Sequence, residues 1–199
     1  MNEIDKLAEY FKEFPGVGPR QAKRFVYFLL RKNQSFGEEI ARLIPEIRKN
    51  ISICKDCFRY FPKNNLDNCK ICSDQNRDKN QLLVVSRDVD FEAIEKSDSY
   101  NGRYFILGGT IPILEKEPQK FIRLNELKNL ITRKKSDGLE EIILALNANP
   151  DGDSTADFLK KELEQFGLKI STLGRGLSTG TELEYSDKNT ILNALNNRR

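Results

Sequence analysis

Apolar side chains recur at helical spacing in the first third of the chain and gather into short unbroken runs after residue 80. Ile4, Leu7, Ala8 and Phe11 lie three or four positions apart, which predicts an amphipathic helix over residues 2–13. Phe14-Pro15-Gly16-Val17-Gly18-Pro19 interrupts that period. Pro19 suits the first turn of a second helix running through Ala22, Phe25, Val26, Phe28 and Leu29, with Phe25, Phe28 and Leu29 expected to point inward. A third helix is predicted over about 36–48, broken or kinked by Pro45 near its end. Residues 51–74 follow neither period and hold little that builds an apolar core.

Beyond that segment the pattern changes. Gln81–Ser86 reads as a buried strand and Val89–Lys96 as a helix. Tyr104–Leu107 is a second strand, ending in Gly108-Gly109, and a helix over about 125–134 precedes the strand Glu141–Leu146. Asn147–Gly152 reads as a loop and Ser154–Phe166 as a helix stopped by Gly167. Lys169–Leu173 is a fourth strand and Lys188–Asn196 a final helix. Strands alternating with helices predict a parallel α/β sheet. The change of texture near 78–81 marks a domain boundary.

Composition narrows the classes. The 199 residues are 38% hydrophobic and 32% charged, which fits one medium domain or two small ones. No apolar run approaches the roughly 18 residues of a membrane span. Met1-Asn2-Glu3-Ile4-Asp5 carries acids and no apolar stretch, so no secretory signal is expected and the expected compartment is the cytoplasm. Histidine is absent, which removes Ser-His-Asp and Cys-His catalysis and histidine-ligated metals together. A net charge of +3 is too small to imply nucleic acid by itself. Its placement matters more: Arg20, Lys23, Arg24, Arg31 and Lys32 fall between Gly18 and Asn33 with no acid among them. A solvated helix face would also carry such a run.

The four cysteines form two C-x2-C pairs, Cys54/Cys57 and Cys69/Cys72, with eleven residues between them. Two such turns can set four thiolates tetrahedrally around Zn²⁺. Disulfides are the competing reading, and they are rare in the cytoplasm. Four cysteines without histidine leave a zinc ion no open position, so one structural ion per chain is expected, folding a stretch that lacks its own core.

The hairpin is more specific. Gly16 and Gly18 permit a tight turn with exposed backbone, and a helix begins at once, so free N–H groups and the positive helix end make a phosphate site. Arg20, Lys23 and Arg24 follow one turn apart. A helix–helix turn whose glycines serve geometry alone is the bland alternative. Contacts of this kind touch the DNA backbone, so binding is expected to be independent of sequence.

Phe14–Arg20, the cysteine segment, Leu107-Gly108-Gly109 and Gly174–Tyr185, taken in that order, make the chain resemble the RecR family over nearly its whole length. The resemblance implies an α+β multidomain protein: a helical helix-hairpin-helix DNA-binding region over 1–50, a small four-cysteine zinc finger over 51–78, a C-terminal α/β Toprim domain with a mostly parallel sheet over 79–175, and an oligomer-contact segment over 176–199. It further implies a recombination mediator that binds DNA and forms a homo-oligomeric dimer or tetramer ring. Such a mediator works with RecO, and in some bacteria RecF, to load RecA. Gly174, Gly176 and Gly180 with Ser178, Thr179 and Thr181 could instead cradle a phosphate, but no Gly-Lys-Ser/Thr is present, and the resemblance assigns the segment to subunit contact.

Toprim domains in primases and topoisomerases hold Mg²⁺ with a Glu after the first strand and an Asp-x-Asp after a later one. Asp151 and Asp153 follow the strand at 141–146, where they could share a hard cation or meet a partner. RecR relatives usually read Val-Val-Glu-Glu-Pro where this chain reads Val84-Val85-Ser86-Arg87-Asp88, and Glu-Gly-Glu in place of Asp151-Gly152-Asp153. Asp88 could replace the first acid from two positions away, with Arg87 competing for the same carboxylates. The expected function is therefore a DNA clamp that catalyses nothing. A Mg²⁺-dependent Toprim nuclease or primase-like enzyme and a zinc scaffold that binds protein alone are the alternatives.

Overall fold

Asn2 opens the first helix, α1 (Glu3–Lys12), by accepting a hydrogen bond from the Asp5 backbone N–H at 2.8 Å in the computed structural model. The structure describes residues 1–115, 117–180 and 182–198. Thr181 and Arg199, both in the segment expected to make subunit contacts, lie outside the described residues. The chain divides into two compact units, Met1–Ser52 and Ile53–Arg199.

In the first unit α2 (Pro19–Arg31) follows the hairpin, and Asn33 caps α3 (Gln34–Asn50) by accepting from the Phe36 N–H. Small residues decide the packing. Ala8, Ala22 and Val26 are buried, with Ile4, Phe11 and Val17 around them. Phe25 and Phe28 do not point inward as the periodicity suggested; they are 36% and 49% exposed. Where two alanines let α1 and α2 approach closely, the large rings are left at the rim. Phe25 meets Phe11 edge-on at 5.8 Å, and Phe28 meets Phe36 at 6.0 Å. Pro45 does not end α3, which continues to Asn50. The carbonyl of Ala41 loses its i+4 partner there, but Ala41 is exposed and no residue of α3 is buried, so water can take the missing bond.

The strand β1 (Ile51–Ile53) leads into the second unit, followed by β2 (Tyr60–Pro62) and the single-turn helix α4 (Lys70–Ser73). The α/β part comprises β3 (Asp78–Val85), α5 (Asp88–Lys96), β4 (Gly102–Ile106), α6 (Leu124–Lys135), β5 (Glu141–Ala145), α7 (Pro150–Leu163), β6 (Lys169–Thr172) and α8 (Lys188–Asn196). Its sheet has the order β4-β3-β5-β6 and is parallel throughout, with Val84 beside Phe105 and Leu144. Successive residues of β3 serve opposite faces. Leu82 and Val84 join α6 and α7 through Leu127, Ile131, Leu159 and Leu163, while Leu83 and Val85 join Phe91 of α5 and the cysteine segment. Among the described residues no helix is long and apolar enough to cross a membrane.

Helix α7 begins at Pro150, so Asp151 and Gly152 stand in its first turn and not in the expected loop, with Asp153 following them in the helix. Asn149 accepts from the Gly152 N–H at 2.8 Å and Pro150 presets the first helical φ, which together start the helix early. Gly152 has a steric role: a Cβ there would stand 2.0 Å from the Asn147 carbonyl oxygen. Gly152→Ala is therefore expected to destabilise the unit by about 1–3 kcal/mol, the usual cost of overpacking, measured by urea denaturation. An unchanged midpoint would refute this steric reading.

Candidate functional site

The hairpin joins α1 to α2 through Gly16, whose φ of 77° lies in the left-handed region that glycine tolerates. The Val17 N–H closes the turn on the Phe14 carbonyl at 3.0 Å. Gly18 is the N-cap of α2 and supplies no side-chain bond, so the first N–H groups of α2 are uncapped. A Cβ at Gly16 or Gly18 would meet nothing within 4 Å, so both glycines face open space. The first turn of α2 holds no acid. Around it stand the three basic residues read from the sequence, in three different situations. Arg20 is exposed. Arg24 donates from Nη1 to Gln21 Oε1 at 3.3 Å, within its own helix. Lys23 pairs with Asp5 of α1 at 3.1 Å, and the hydrogen bond and charge of that carboxylate raise its pKa. Local spacing carries no sign of this pairing, since 18 positions separate the partners.

All four cysteines are free thiols whose sulfur atoms lie within 4.8 Å of one another. A tetrahedral zinc with bonds of about 2.3 Å would space its sulfurs about 3.8 Å apart, and Cys57 and Cys69 already stand at 3.6 Å. The two C-x2-C turns match locally: Phe58 N–H donates to the Cys54 carbonyl and Ser73 N–H to the Cys69 carbonyl, each at 3.1 Å. The Cys69 N–H donates to Cys54 Sγ at 3.3 Å. Contacts with the Cys54 sulfur, then with Cys69 and Cys72, and burial push the Cys57 thiol up. A cluster of this kind cannot shed its protons together unless a cation neutralises the thiolates. The donor set and spacing fit a soft divalent metal.

The cysteine segment is tied to the sheet at several points. The Ile106 N–H of β4 donates to the Cys57 carbonyl at 2.8 Å. Asp56, 8% exposed, accepts from Asn68 and pairs with Arg133 of α6 at 3.1 Å. Asp88 accepts from the Tyr60 N–H at 3.1 Å, so the acid expected as a substitute after the first strand instead fastens β2. Asp56 and Asp88 were not predicted as ties, because pairings across the fold leave no mark in local spacing.

At the carboxyl edge of the sheet, Ser86, at the position where the family resemblance implies an acid, is fully buried. Asp153 is bound by Arg175, which holds its carboxyl below the usual range, and Asp151 accepts from the Ile113 N–H at 3.3 Å. The two carboxylates are thus turned to different partners. Among the described residues the four cysteines are the one group of three or more metal-ligating side chains that comes together.

Three family models match in chain order: "RecR, helix-hairpin-helix" over residues 4–47, "Toprim domain" over 80–174, and "RecR, C-terminal" over 176–199. The chain is 38% identical over 198 residues to the Recombination protein RecR of Legionella pneumophila, covering 100% of this chain and 96% of that relative. It is 35% identical over 196 residues to the protein of the same name from Herpetosiphon aurantiacus, covering 98% and 93%. Against that of Cereibacter sphaeroides it is 35% identical over 197 residues, covering 99% and 96%. Identity at this level along almost the whole of each relative, with the three matches in the same order, makes the chain a member of the RecR family.

Proposed function

We propose that this chain is a non-catalytic recombination mediator in RecA-dependent DNA repair, binding DNA without regard to sequence. The uncapped start of α2 behind Gly16 and Gly18, with Arg20 and Arg24 beside it, carries the reading. In this division of labour residues 1–50 hold DNA, the 51–78 segment holds zinc, the Toprim part over 79–175 is the scaffold, and 176–199 meets another subunit. The assembly is a dimeric or tetrameric ring acting as a clamp in the cytoplasm, with RecO, and RecF where it exists, as protein partners. Leu177, Leu183, Tyr185 and Leu195 support the oligomer reading, since all four are exposed and apolar in the C-terminal segment. Asp151 and Asp153 are assigned to holding α7 and the segment around Arg175 rather than to Mg²⁺.

Cys54, Cys57, Cys69 and Cys72 hold one structural Zn²⁺, which supplies folding free energy. Because these side chains share a core with Leu83, Val85 and Tyr104, the metal supports the sheet as well as its own loop. Cys57→Ser is therefore expected to lose the metal and lower the melting temperature of the whole second unit. Zinc well below one ion per chain in the native protein, by mass spectrometry of the metal, would reject the assignment.

DNA affinity is expected to fall with salt on a log–log slope of about −0.7 to −0.9 per phosphate contact. Arg20→Ala with Arg24→Ala should reduce that slope by roughly one to two units per subunit and weaken all sequences alike. Asp5→Asn should act the other way: releasing Lys23 from its exposed pair is expected to tighten binding about two- to threefold at low salt. Anisotropy titrations with labelled DNA test both. Wild-type affinity and slope in the double variant would move the site away from the hairpin.

A further inference from the structure

A cleft of about 760 Å³ opens between the cysteine segment and α5. Its floor is apolar, built from Phe61, Pro62, Ile71 and Phe91. Its rim is basic. Lys63 and Lys70 project from the cysteine segment and Lys96 from the end of α5, all exposed and with no ion pair among the described residues. Arg59 lies deeper, its guanidinium 4.5 Å from the Phe91 ring centre, and its Nε is buried without a hydrogen-bond partner among the described residues. Two acids reach the lining, but Glu95 is engaged by Arg77, which leaves Glu92 against four cations.

We propose that this cleft is a docking site for an acidic peptide segment of a partner protein, with one bulky apolar side chain entering the cleft and carboxylates meeting Arg59 and the lysine rim. Arg59 and the three exposed lysines carry more positive charge than Glu92 can answer, and a carboxylate is the acceptor that matches a guanidinium best. The concave apolar floor supplies the desolvated anchor point that peptide recognition needs. A single strand of DNA fits less well. Bases need open aromatic faces, whereas Phe61 and Phe91 are 5% and 4% exposed, and Phe91 is covered by Arg59 on one side and met edge-on by Tyr104.

The test is a selection of short random peptides displayed on phage against the full-length, metal-loaded chain, followed by anisotropy with the synthetic winners. Selected peptides are expected to combine Asp or Glu with Phe, Leu, Ile or Met. Lys63→Glu with Lys70→Glu should weaken them about tenfold or more, and Lys96→Glu, from the other wall, should weaken them independently. Replacing the peptide's apolar residue by Ala should do the same, with metal content and circular dichroism of the protein unchanged. The proposal is overturned if nothing is enriched, if the winners lack acids, or if the lysine variants bind them as wild type does. It is equally overturned if oligo(dT) competes for the cleft and is itself weakened by the lysine variants, which would make this a nucleic-acid surface. Hairpin variants at Arg20 and Arg24 should leave peptide binding intact, so failure here and failure of the DNA reading are separable.

Discussion

Both faces of the parallel sheet are apolar, and neither can be left to water. β3 carries Leu82 and Val84 toward one side and Leu83 and Val85 toward the other, all four at most 3% exposed. On the first side α6 and α7 supply long aliphatic rows that close the core. The second side receives one helix of nine residues, α5, whose buried contribution is Phe91. The rest of that face is covered by Cys54, Cys57, Phe61, Cys69 and Ile71. A segment too short and too polar to fold alone thus completes the second layer that a parallel sheet requires.

This arrangement explains where several polar residues are spent. A covering layer that is mostly loop must be held by specific bonds, because it has few side chains with which to hold itself. Asp56 to Arg133, Asp88 to the Tyr60 N–H, and the Cys57 carbonyl to the Ile106 N–H provide these bonds on different sides of the segment. Asp88, expected as a substitute acid from two positions beyond Ser86, fastens the covering layer, and Ser86 itself is buried. The same layer leaves a gap where it meets α5, and that gap is the basic cleft.

The sequence made the architecture legible because its strongest signals are local. Apolar runs located the strands, the C-x2-C spacing located the thiol cluster, and Gly16–Pro19 located the hairpin. Errors arose where tertiary packing overrode local pattern. Helical period put Phe25 and Phe28 inside, but close approach at Ala8 and Ala22 left room only for small residues. Proline chemistry implied a break or a kink at Pro45, and the helix is not broken there, since an exposed helix tolerates the lost bond. The pairings of Lys23 with Asp5, Asp56 with Arg133 and Asp153 with Arg175 were invisible, since each joins residues distant in the chain.

Those pairings sort the charges by role. Near the carboxyl edge of the sheet the acids are occupied: Asp153 by Arg175, Asp151 by the Ile113 N–H and Asp88 by the Tyr60 N–H. Asp153 has both carboxylate oxygens on Arg175, whereas Asp151 and Asp88 each use one oxygen on a backbone N–H. A subset of the basic residues is left free. Arg20 in the first unit, and Lys63, Lys70 and Lys96 in the second, stand exposed without ion pairs among the described residues. Exposed unpaired cations cost little in stability, while each remains available to an anion. In the function proposed for this chain, these free cations are the groups that meet polyanions and acidic partners.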